Sequence, residues 1–557
     1  MRKKRLMAIV SCALLLITAC STKTPDEPIE AGKPKETESI GASTTPIPAE
    51  GERKEGEAQN PNEAKVQNSS EVEAQITKEA EEKRQKEEDI LFQTIAASTS
   101  LKAVTSIQHT FTNASVHDPS IRKAGDTYYI FGSHLAAAKS KDLMNWEMID
   151  SGVTKDNKII PDAMSEMEEA FTWAKTNTFW APDVIQLADG KYYMYYCNCE
   201  GSSPLSALGV AVSDHIEGPY QDLGIILKSG MTSQPSENGD KYDARVYPNA
   251  VDPCVFFDKE GRLWMMYGSY SGGIYILELN PETGFPLESG YGKKMLGANH
   301  LRIEGAFVQY AEETDYYYMF LSYGGLTSDG GYNIRVCRSK NPDGPYLDYA
   351  GNDMILCRGS SGSFFDDRAA EKYGTKLMGN WRFQSIDGEE SKKDLGYVSP
   401  GHNSTIYEKE TGKYFLIFHT RFEGGGERHQ VRTHQMFLNE DGWFVVAPYR
   451  YTGETLGIYT KKDVAGAYKI INHQHDISNE VRTSENLILK EDQTIVGAYH
   501  GTWELKDENT CLLTIEGVTY LGVFLKQWDE NNKKDVITFT ALSKEGVALW
   551  GSGYEAK

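Results

Sequence analysis

The chain is 557 residues long, which leaves room for two or three domains, and it carries a formal net charge of −22. An acidic surface repels nucleic acids and anionic lipids, so this charge argues against both as partners of the folded part. A neutral polysaccharide would not be repelled.

The first twenty residues have the features of an export signal. Four basic residues, Arg2–Arg5, precede an apolar run, Leu6–Ile17, that is too short to span a bilayer comfortably. The run ends in the sequence ITAC, which resembles the lipobox of bacterial lipoproteins, with Cys20 as the residue that would carry the lipid. We therefore predict a lipoprotein signal peptide over residues 1–19. An ordinary secretory signal followed by a chance cysteine is the alternative.

Residues 20–102 are predicted to form a tether. Pro, Ser, Thr, Glu and Lys dominate this segment and aromatic residues are almost absent, so it cannot bury enough apolar surface to offset the entropy of ordering. Dense charges between Glu71 and Asp89 favour a solvated helix within it. No later stretch approaches 18 consecutive apolar residues. We expect an extracellular protein that is anchored to the bacterial membrane only through its lipid.

A polar motif followed by two tyrosine-rich strands occurs five times between residues 103 and 450. Each repeat reads as motif, apolar strand, charged or glycine-containing turn, and second strand. Self-similarity of this kind predicts a five-bladed β-propeller over residues 103–450. The five openings are HDPSIRKAGDTYYIFGS, APDVIQLADGKYYMYYC, VDPCVFFDKEGRLWMMYGS, EGAFVQYAEETDYYYMFLSY and GHNSTIYEKETGKYFLIFHT.

In a propeller, the motif begins the strand nearest the axis. The polar side chains of the five motifs are therefore expected to converge in one central cavity. These side chains are Asp118, Asp183, Asp252, Glu304 and His402. The spacing of the repeats is irregular, and we predict that the extra residues form rim loops around a groove. The three insertions lie near 150–178, 225–248 and 360–400.

Beyond Tyr451 the motifs stop. Alternating segments such as GTWELKD and CLLTIEGVTY predict a small antiparallel β-barrel or sandwich over residues 451–557. The chain is thus expected to be all-β after its disordered tether. The strings GVAVS and NIRVCRS are predicted to be third strands of their blades. The six cysteines that follow Cys20 are predicted to be mostly free and buried.

Three acids at blade openings suit the hydrolysis of a sugar. One carboxyl group can protonate the leaving oxygen, and a second can activate water or attack directly. A neighbouring acid can keep the donor protonated near neutrality. This logic is weak alone, because propellers also bind ligands without reaction and an Asp before Pro often caps a turn.

The ordered set of motifs is more specific than any single acid. It resembles glycoside hydrolase family 43, and most of all its endo-α-1,5-L-arabinanases. The resemblance covers about 105–450, and the C-terminal module looks like the extra β domain of some larger, calcium-dependent arabinanases. The strings that carry it are HDPS at His117, WAPD at Trp180, NAVDP at Asn249, EG at Glu304 and GHNS at Gly401.

The resemblance implies an inverting mechanism. Asp118 matches the general base, Glu304 the general acid, and Asp252 the third acid, which keeps the proton on the general acid and orients it. The family often has proline two residues after the acid, whereas this chain has Ala306. That difference concerns only the local turn.

The resemblance also implies a metal. His402 matches a histidine that faces a central calcium ion held mainly through water. Calcium prefers oxygen ligands, so a histidine that is only hydrogen-bonded in the cavity is the alternative. Asp183, in its WAPD context, is predicted to brace the second blade or the site and not to act in catalysis.

The resemblance also implies substrate contacts, because Asn249 and the turn Ser269–Ser271 match arabinanase segments that line the central subsite, and Gly201 lies in the corresponding loop of the second blade. Trp180 and Tyr270 could stack on a furanose, although aromatic residues in propellers more often pack between blades. The full predicted set comprises Asp118, Trp180, Gly201, Asn249, Asp252, Ser269, Tyr270 and Ser271.

Three functions remain open from the sequence. The leading hypothesis is a surface-anchored, monomeric endo-arabinanase acting on plant cell-wall arabinan or arabino-oligosaccharides. The second is an exo-acting α-L-arabinofuranosidase or β-xylosidase on the same blades, which would differ in the loops that close the groove. The third is a lipoprotein that captures glycans without cleaving them, which intact Asp118, Asp252 and Glu304 argue against.

Overall fold

The computed structural model describes residues 107–554 and, before them, only Lys78 and Lys83, which are helical and exposed. The predicted signal peptide, Cys20 and almost all of the tether lie outside the described residues. Within the described part of the chain, no helix combines the length and the apolar character needed to cross a bilayer.

Four antiparallel sheets of four strands and one of six form five blades, as predicted. Blade 1 contains β1 Ser120–Ala124, β2 Thr127–Gly132, β3 Ala136–Ser140 and β4 Trp146–Asp150. Blade 2 contains β5 Trp180–Gln186, β6 Tyr192–Cys199, β7 Ser206–Ser213 and β8 Gln221–Ser229. In both blades the spatial order follows the chain order.

Blades 3 and 4 follow the same plan. Blade 3 contains β9 Cys254–Phe257, β10 Leu263–Tyr267, β11 Ile274–Leu279 and β12 Lys293–Leu296. Blade 4 contains β13 Ile303–Ala311, β14 Tyr316–Tyr323, β15 Asn333–Ser339 and β16 Thr375–Met378. The strings GVAVS and NIRVCRS lie in β7 and β15, so both predictions of third strands are confirmed.

Blade 5 is extended by a strand before it and by one from the C-terminal region. Its spatial order is β21-β20-β19-β18-β17-β23. The strands are β17 Trp381–Phe383, β18 Leu395–Glu408, β19 Lys413–Arg421, β20 His429–Leu438, β21 Phe444–Val446 and β23 Arg482–Thr483.

The innermost strands close into a ring. β5 contacts β1 and β9, and β13 contacts β9 and β18, while β1 and β18 contact each other. Hydrophobic clusters fill the spaces between neighbouring blades. Both faces of a blade are therefore covered, and seven of the eight residues of β14, YYYMFLSY, are buried. Each such aromatic side chain contributes about 1.5–3 kcal/mol of burial free energy.

The C-terminal domain is a closed barrel of eight antiparallel strands, which decides between the predicted barrel and sandwich. Its first strand, β22, pairs with the last, β30. The strands are β22 Gly466–Asn472, β24 Glu485–Leu489, β25 Thr494–Gly497, β26 Gly501–Lys506, β27 Thr510–Ile515, β28 Val518–Asp529, β29 Lys534–Ser543 and β30 Ala548–Tyr554.

The barrel is joined to the propeller by a shared sheet and a shared core. β23 leaves the barrel after β22 and pairs in parallel with β17. The rings of Trp381 and Trp550 meet edge to face at 5.4 Å, and both side chains are fully buried. A buried ion pair of 2.7 Å joins Lys469 to Glu389 across the same boundary. The described part of the chain thus packs continuously from blade 5 into the barrel.

Between residues 107 and 554 the helices are short; three lie in insertions of the propeller and the fourth precedes the barrel. They are α1 Ala163–Glu166, α2 Glu168–Ala174, α3 Asp367–Glu371 and α4 Lys461–Val464, with 3₁₀ turns at Ser133–Leu135 and Met354–Leu356. The insertion near 150–178 contains α1 and α2. The other two were placed wrongly in part, because β8 extends to Ser229 and the fourth blade has its long loop between β15 and β16, at residues 340–374.

All six cysteines within the described residues are free and buried, as predicted. Cys197 and Cys199 lie on β6 with their side chains on one face.

Candidate active site

In every blade a residue with left-handed backbone geometry lies just before the innermost strand or at an irregularity in its pairing. The φ angles are 56° at Asp118, 22° at Ala181, 55° at Asp252, 60° at Gly305 and 43° at His402. Holding a residue other than glycine in this region costs on the order of 1–3 kcal/mol, and such strain clusters at functional sites. At Asp118, Asp252 and His402 the strained residue is also the one whose side chain lines the cavity.

Glycine is required at position 305. A Cβ atom there would lie 3.2 Å from the His402 ring, and φ is positive. Gly305 therefore lets the fourth blade approach His402 and leaves Glu304, one residue earlier, as the side chain that this blade directs into the cavity.

The prediction that Asp183 opens into the central cavity is wrong. The position equivalent to Asp118 in blade 2 is Ala181, and Asp183 lies two residues further along and is fully buried. It accepts hydrogen bonds from Arg122 at 2.7 Å and from the backbone N–H of Val255 at 2.6 Å. Asp183 thus ties together blades 1, 2 and 3, in agreement with the prediction that it braces the structure.

One cavity of about 250 Å³ contains every other predicted site residue that lies within the described chain. These residues are Asp118, Trp180, Gly201, Asn249, Asp252, Ser269, Tyr270, Ser271, Glu304 and His402. They come from all five blades, so the cavity lies where the inner strands meet.

Asp118 is held as an ionised carboxylate. Its Oδ2 lies 2.8 Å from Nδ1 of His117, its Oδ1 lies 3.1 Å from Nδ1 of His402, and Ser133 Oγ donates a hydrogen bond to it. Burial would raise the pKa of Asp118, but His117, His402 and His419 lower it well below the usual value. A carboxylate that stays ionised at neutral pH suits a general base.

Glu304 is oriented by two hydroxyl groups. Ser269 Oγ lies 2.7 Å from Oε2, and Tyr332 Oη lies 2.7 Å from Oε1. Tyr332 directly precedes β15 and was not among the predicted site residues. Both hydroxyls can donate to the carboxylate or accept from the carboxylic acid, so they hold Glu304 in either protonation state.

Asp252 has the opposite electrostatic environment from Asp118. Burial, together with the carboxyl groups of Glu304 and Asp118, raises the pKa of Asp252 to about 7, although His402 lowers it. Its Oδ2 accepts one long hydrogen bond of 3.3 Å from the backbone N–H of Gly305. The neighbouring Glu304 carboxyl group thus favours the protonated form of Asp252.

His402 connects the acids. Burial opposes its protonation, but the carboxylates of Asp118, Asp252 and Glu304 outweigh that effect and raise the pKa of His402. Its backbone N–H donates to Ser322 Oγ at 2.7 Å, which fixes the turn at the start of the fifth blade.

The aromatic and amide contacts of the cavity are also fixed by neighbours. Trp180 Nε1 donates to Thr178 Oγ1 at 2.7 Å. A Cβ atom at Gly201 would lie 3.4 Å from the Trp180 indole ring, so the glycine lets its loop approach that ring closely. Asn249 Oδ1 accepts from Ser206 Oγ at 2.6 Å, and its Nδ2 donates to Cys199 Sγ at 3.9 Å.

The donor set fits calcium only with water as the main source of ligands. Among the described residues, the donor atoms that converge belong to His117, Asp118 and His419. Two imidazoles and one carboxylate match zinc better than calcium. The excess of buried acid beside His402 is favourable for any cation in the cavity, and the predicted calcium site stays a prediction.

The sequence reasoning missed part of the lining. His300, Leu326, Phe364 and Phe365 line the cavity from the loops of blades 3 and 4. None belongs to the repeated motif, and the only signal was the unusual pair of phenylalanines in an insertion that was predicted to shape the groove.

Comparison with known proteins places this geometry in a family. The profile described as glycosyl hydrolases family 43 matches residues 107–444, and one described as a C-terminal lipocalin-like domain matches residues 448–551. An extracellular endo-α-(1→5)-L-arabinanase 2 from Bacillus subtilis is 56% identical over 459 residues, covering 82% of this chain and 97% of that protein.

Two further relatives cover a similar span. The extracellular endo-α-(1→5)-L-arabinanase of Thermotoga petrophila is 53% identical over 452 residues, covering 80% of this chain and 94% of that one. The crystal structure of a family 43 glycoside hydrolase from Bacillus licheniformis superposes with a TM-score of 0.78 at 56% identity, covering 80% of this chain and all of that one.

Proposed function

This chain belongs to glycoside hydrolase family 43, and on that basis we propose that it cleaves α-1,5-linked L-arabinan internally, with inversion. The observation that carries the proposal is the contrast between two acids in one cavity. The pKa of Asp118 is lowered by histidines, whereas that of Asp252, beside Glu304, is raised by burial. Groups whose environments separate their pKa values suit opposite roles in acid–base catalysis.

In the proposed mechanism, Asp118 is the general base. It takes a proton from a water molecule as the water oxygen attacks the anomeric carbon. His117 and His402 orient its two oxygens and stabilise its charge before the reaction. The strained backbone at Asp118 directs the carboxylate into the cavity.

Glu304 is the general acid and transfers its proton to the departing glycosidic oxygen. Tyr332 and Ser269 hold its carboxyl group in place. Asp252 acts through Glu304, since two neighbouring carboxyl groups do not readily lose both protons. After the reaction Asp118 carries the proton taken from water, and Glu304 has given its proton to the leaving group. Asp118 must therefore lose a proton to solvent, and Glu304 must regain one, before the next turnover.

Product size tests the endo assignment. Linear and debranched arabinan should give a ladder of oligomers at early times, which thin-layer or anion-exchange chromatography would resolve. Arabinose alone from the first minutes would point to the exo-acting alternative, and intact polymer would favour a protein that only binds glycans.

The pH profile of Asp252→Asn is a further expected result. In the wild type, burial and repulsion from the carboxyl groups of Glu304 and Asp118 raise the pKa of Asp252 to about 7, although His402 lowers it. Asparagine carries no negative charge to help Glu304 keep its proton. We therefore expect Glu304 of the variant to lose its proton at lower pH. The alkaline limb of kcat/KM should move down, and a limb that stays or moves up would contradict the role of Asp252.

We propose that His402 helps to hold a calcium ion, with water supplying most of the ligands. Such an ion would offset the negative charge of the buried acids. Exhaustive chelation should therefore lower activity, and calcium should restore it better than zinc, because zinc is expected to bind His117, Asp118 and His419 and engage the base. Full activity in protein shown to be metal-free would favour a plain hydrogen-bonded histidine.

We propose further that the protein is exported and anchored through Cys20. The relatives named above are extracellular enzymes, and the ITAC sequence supports lipidation. Metabolic labelling with a fatty-acid probe should mark the wild type and miss Cys20→Ala. Equal labelling of both proteins would refute the anchor.

A further inference from the structure

Two phenylalanines are exposed at one edge of the catalytic cavity. Phe364 is 68% exposed and Phe365 is 49% exposed, although both line the cavity. Large apolar side chains left open in a concave site are typical of ligand contacts. They belong to the loop between β15 and β16, which the repeated motif does not explain.

The loop that carries them is fixed in position. The Nε of Arg302 donates to Asp367 at 3.0 Å, and a second nitrogen of the same guanidinium group completes a two-point pair. Asn299 Nδ2 donates to the carbonyl of Gly359 at 2.9 Å at the other end of the loop. The exposed rings are therefore presented in a defined place and do not merely cover a loose end.

The Phe364 ring stacks face to face on the His300 ring, which supports it from one side. The two rings stack at 4.1 Å with an angle of 11° between their planes. Burial lowers the pKa of His300, although Asp243 opposes this, so the imidazole is neutral at neutral pH. The outer face of the Phe364 ring, which is 68% exposed, suits the C–H face of a sugar, whose weakly positive hydrogens pack on an aromatic ring.

The surface lies on the side of the general acid. The backbone N–H of His300 donates to Ser271 at 2.8 Å, and the ring of Phe365 meets that of Tyr270 edge to face. Ser269, in the same turn, donates to Glu304. Trp180, by contrast, lies on the side of the general base. The backbone N–H of the next residue, Ala181, donates to the Ser133 hydroxyl that binds Asp118.

The acid must face the glycosidic oxygen, and the leaving part of the chain lies beyond that oxygen. We infer that Phe364, supported by the stacked His300 ring, forms a binding surface for an arabinofuranosyl unit of the leaving group. This inference rests on the proposed function. It makes Phe364 a determinant of preference for long chains over substrates with a small leaving group.

The test compares kcat/KM of Phe364→Ala with that of the wild type on two substrates. For arabinohexaose, kcat/KM should fall roughly tenfold, the effect of losing one aromatic stacking contact. For α-L-arabinofuranosyl fluoride, whose leaving group has no sugar, kcat/KM should stay within about twofold. Phe364→Tyr should retain most of the activity on arabinohexaose. Leu356→Ala removes another exposed apolar side chain of the same insertion. It should leave kcat/KM unchanged for both substrates.

The side of binding has its own readout. With arabinohexaose labelled at its reducing end, the label leaves with the leaving group. Weaker binding on that side should shift cleavage toward the reducing end, so the labelled fragments of Phe364→Ala should become shorter. Longer labelled fragments, an unchanged pattern, or equal losses on both substrates would overturn the inference. A wild type that leaves arabino-oligosaccharides intact but hydrolyses the fluoride would instead refute the proposed function.

Discussion

Asp118→Ala is expected to reduce hydrolysis of arabinan and of an aryl arabinofuranoside by the same factor, about 10⁴-fold. Both substrates need an activated water, and no other described carboxylate in the cavity has a pKa held so far below its usual value by three histidines. Initial rates on the two substrates, measured at the same pH, give the comparison.

The control for this variant is Asp126→Ala. Asp126 lies in the turn between β1 and β2 of the same blade, and its side chain is 82% exposed, so activity on both substrates should be unchanged. An Asp118→Ala enzyme that retains activity on the aryl substrate would remove Asp118 from the role of base.

Glu304→Gln is expected to separate the two substrates. The amide keeps the hydrogen bonds with Ser269 and Tyr332 but has no proton to transfer. Arabinan cleavage should fall by roughly 10³–10⁴-fold, whereas the aryl substrate should lose far less, because its leaving group hardly needs protonation. Steady-state rates on both substrates measure the ratio.

The matched control for the acid is Glu312→Gln, an exposed glutamate just beyond β13, which should leave both rates unchanged. If Glu304→Gln lowered both rates equally while Asp118→Ala spared the aryl substrate, the two roles would have to be exchanged.

Much of the fold follows from local sequence. A polar motif, an apolar strand, a turn and a second strand recur five times, and each unit can be read without knowledge of the others. Because every unit begins at the axis, the pattern also brings Asp118, Asp252, Glu304 and His402 together. The loop residues Gly201 and Ser269, which follow the second strand of a repeat, were predicted only through the resemblance to family 43.

Asp183 shows how the same reasoning can fail. The repeats were aligned by their carboxylates, which placed Asp183 with Asp118. The shared element is the residue before proline, and Ala181-Pro182 corresponds to Asp118-Pro119 and Asp252-Pro253. Alignment by proline would have placed an alanine at the cavity and Asp183 inside the wall.

Other contacts could not be read from the sequence because they depend on packing between distant segments. Tyr332, at the end of a glycine-rich loop just before β15, reaches Glu304, and Phe364 reaches His300 across 64 residues of chain. Nothing in either local sequence specifies these partners. Such contacts arise in irregular insertions, where periodicity carries no information.

The central claim is that Asp118 and Glu304 act on opposite sides of one glycosidic bond. The most direct test is the anomeric configuration of the first-formed reducing ends, followed by proton NMR during rapid hydrolysis of arabinan. Attack by a base-activated water predicts that the β anomer forms first from the α linkage and then equilibrates. If the α anomer forms first, the reaction proceeds with retention, and the assignment of Asp118 as a base is wrong.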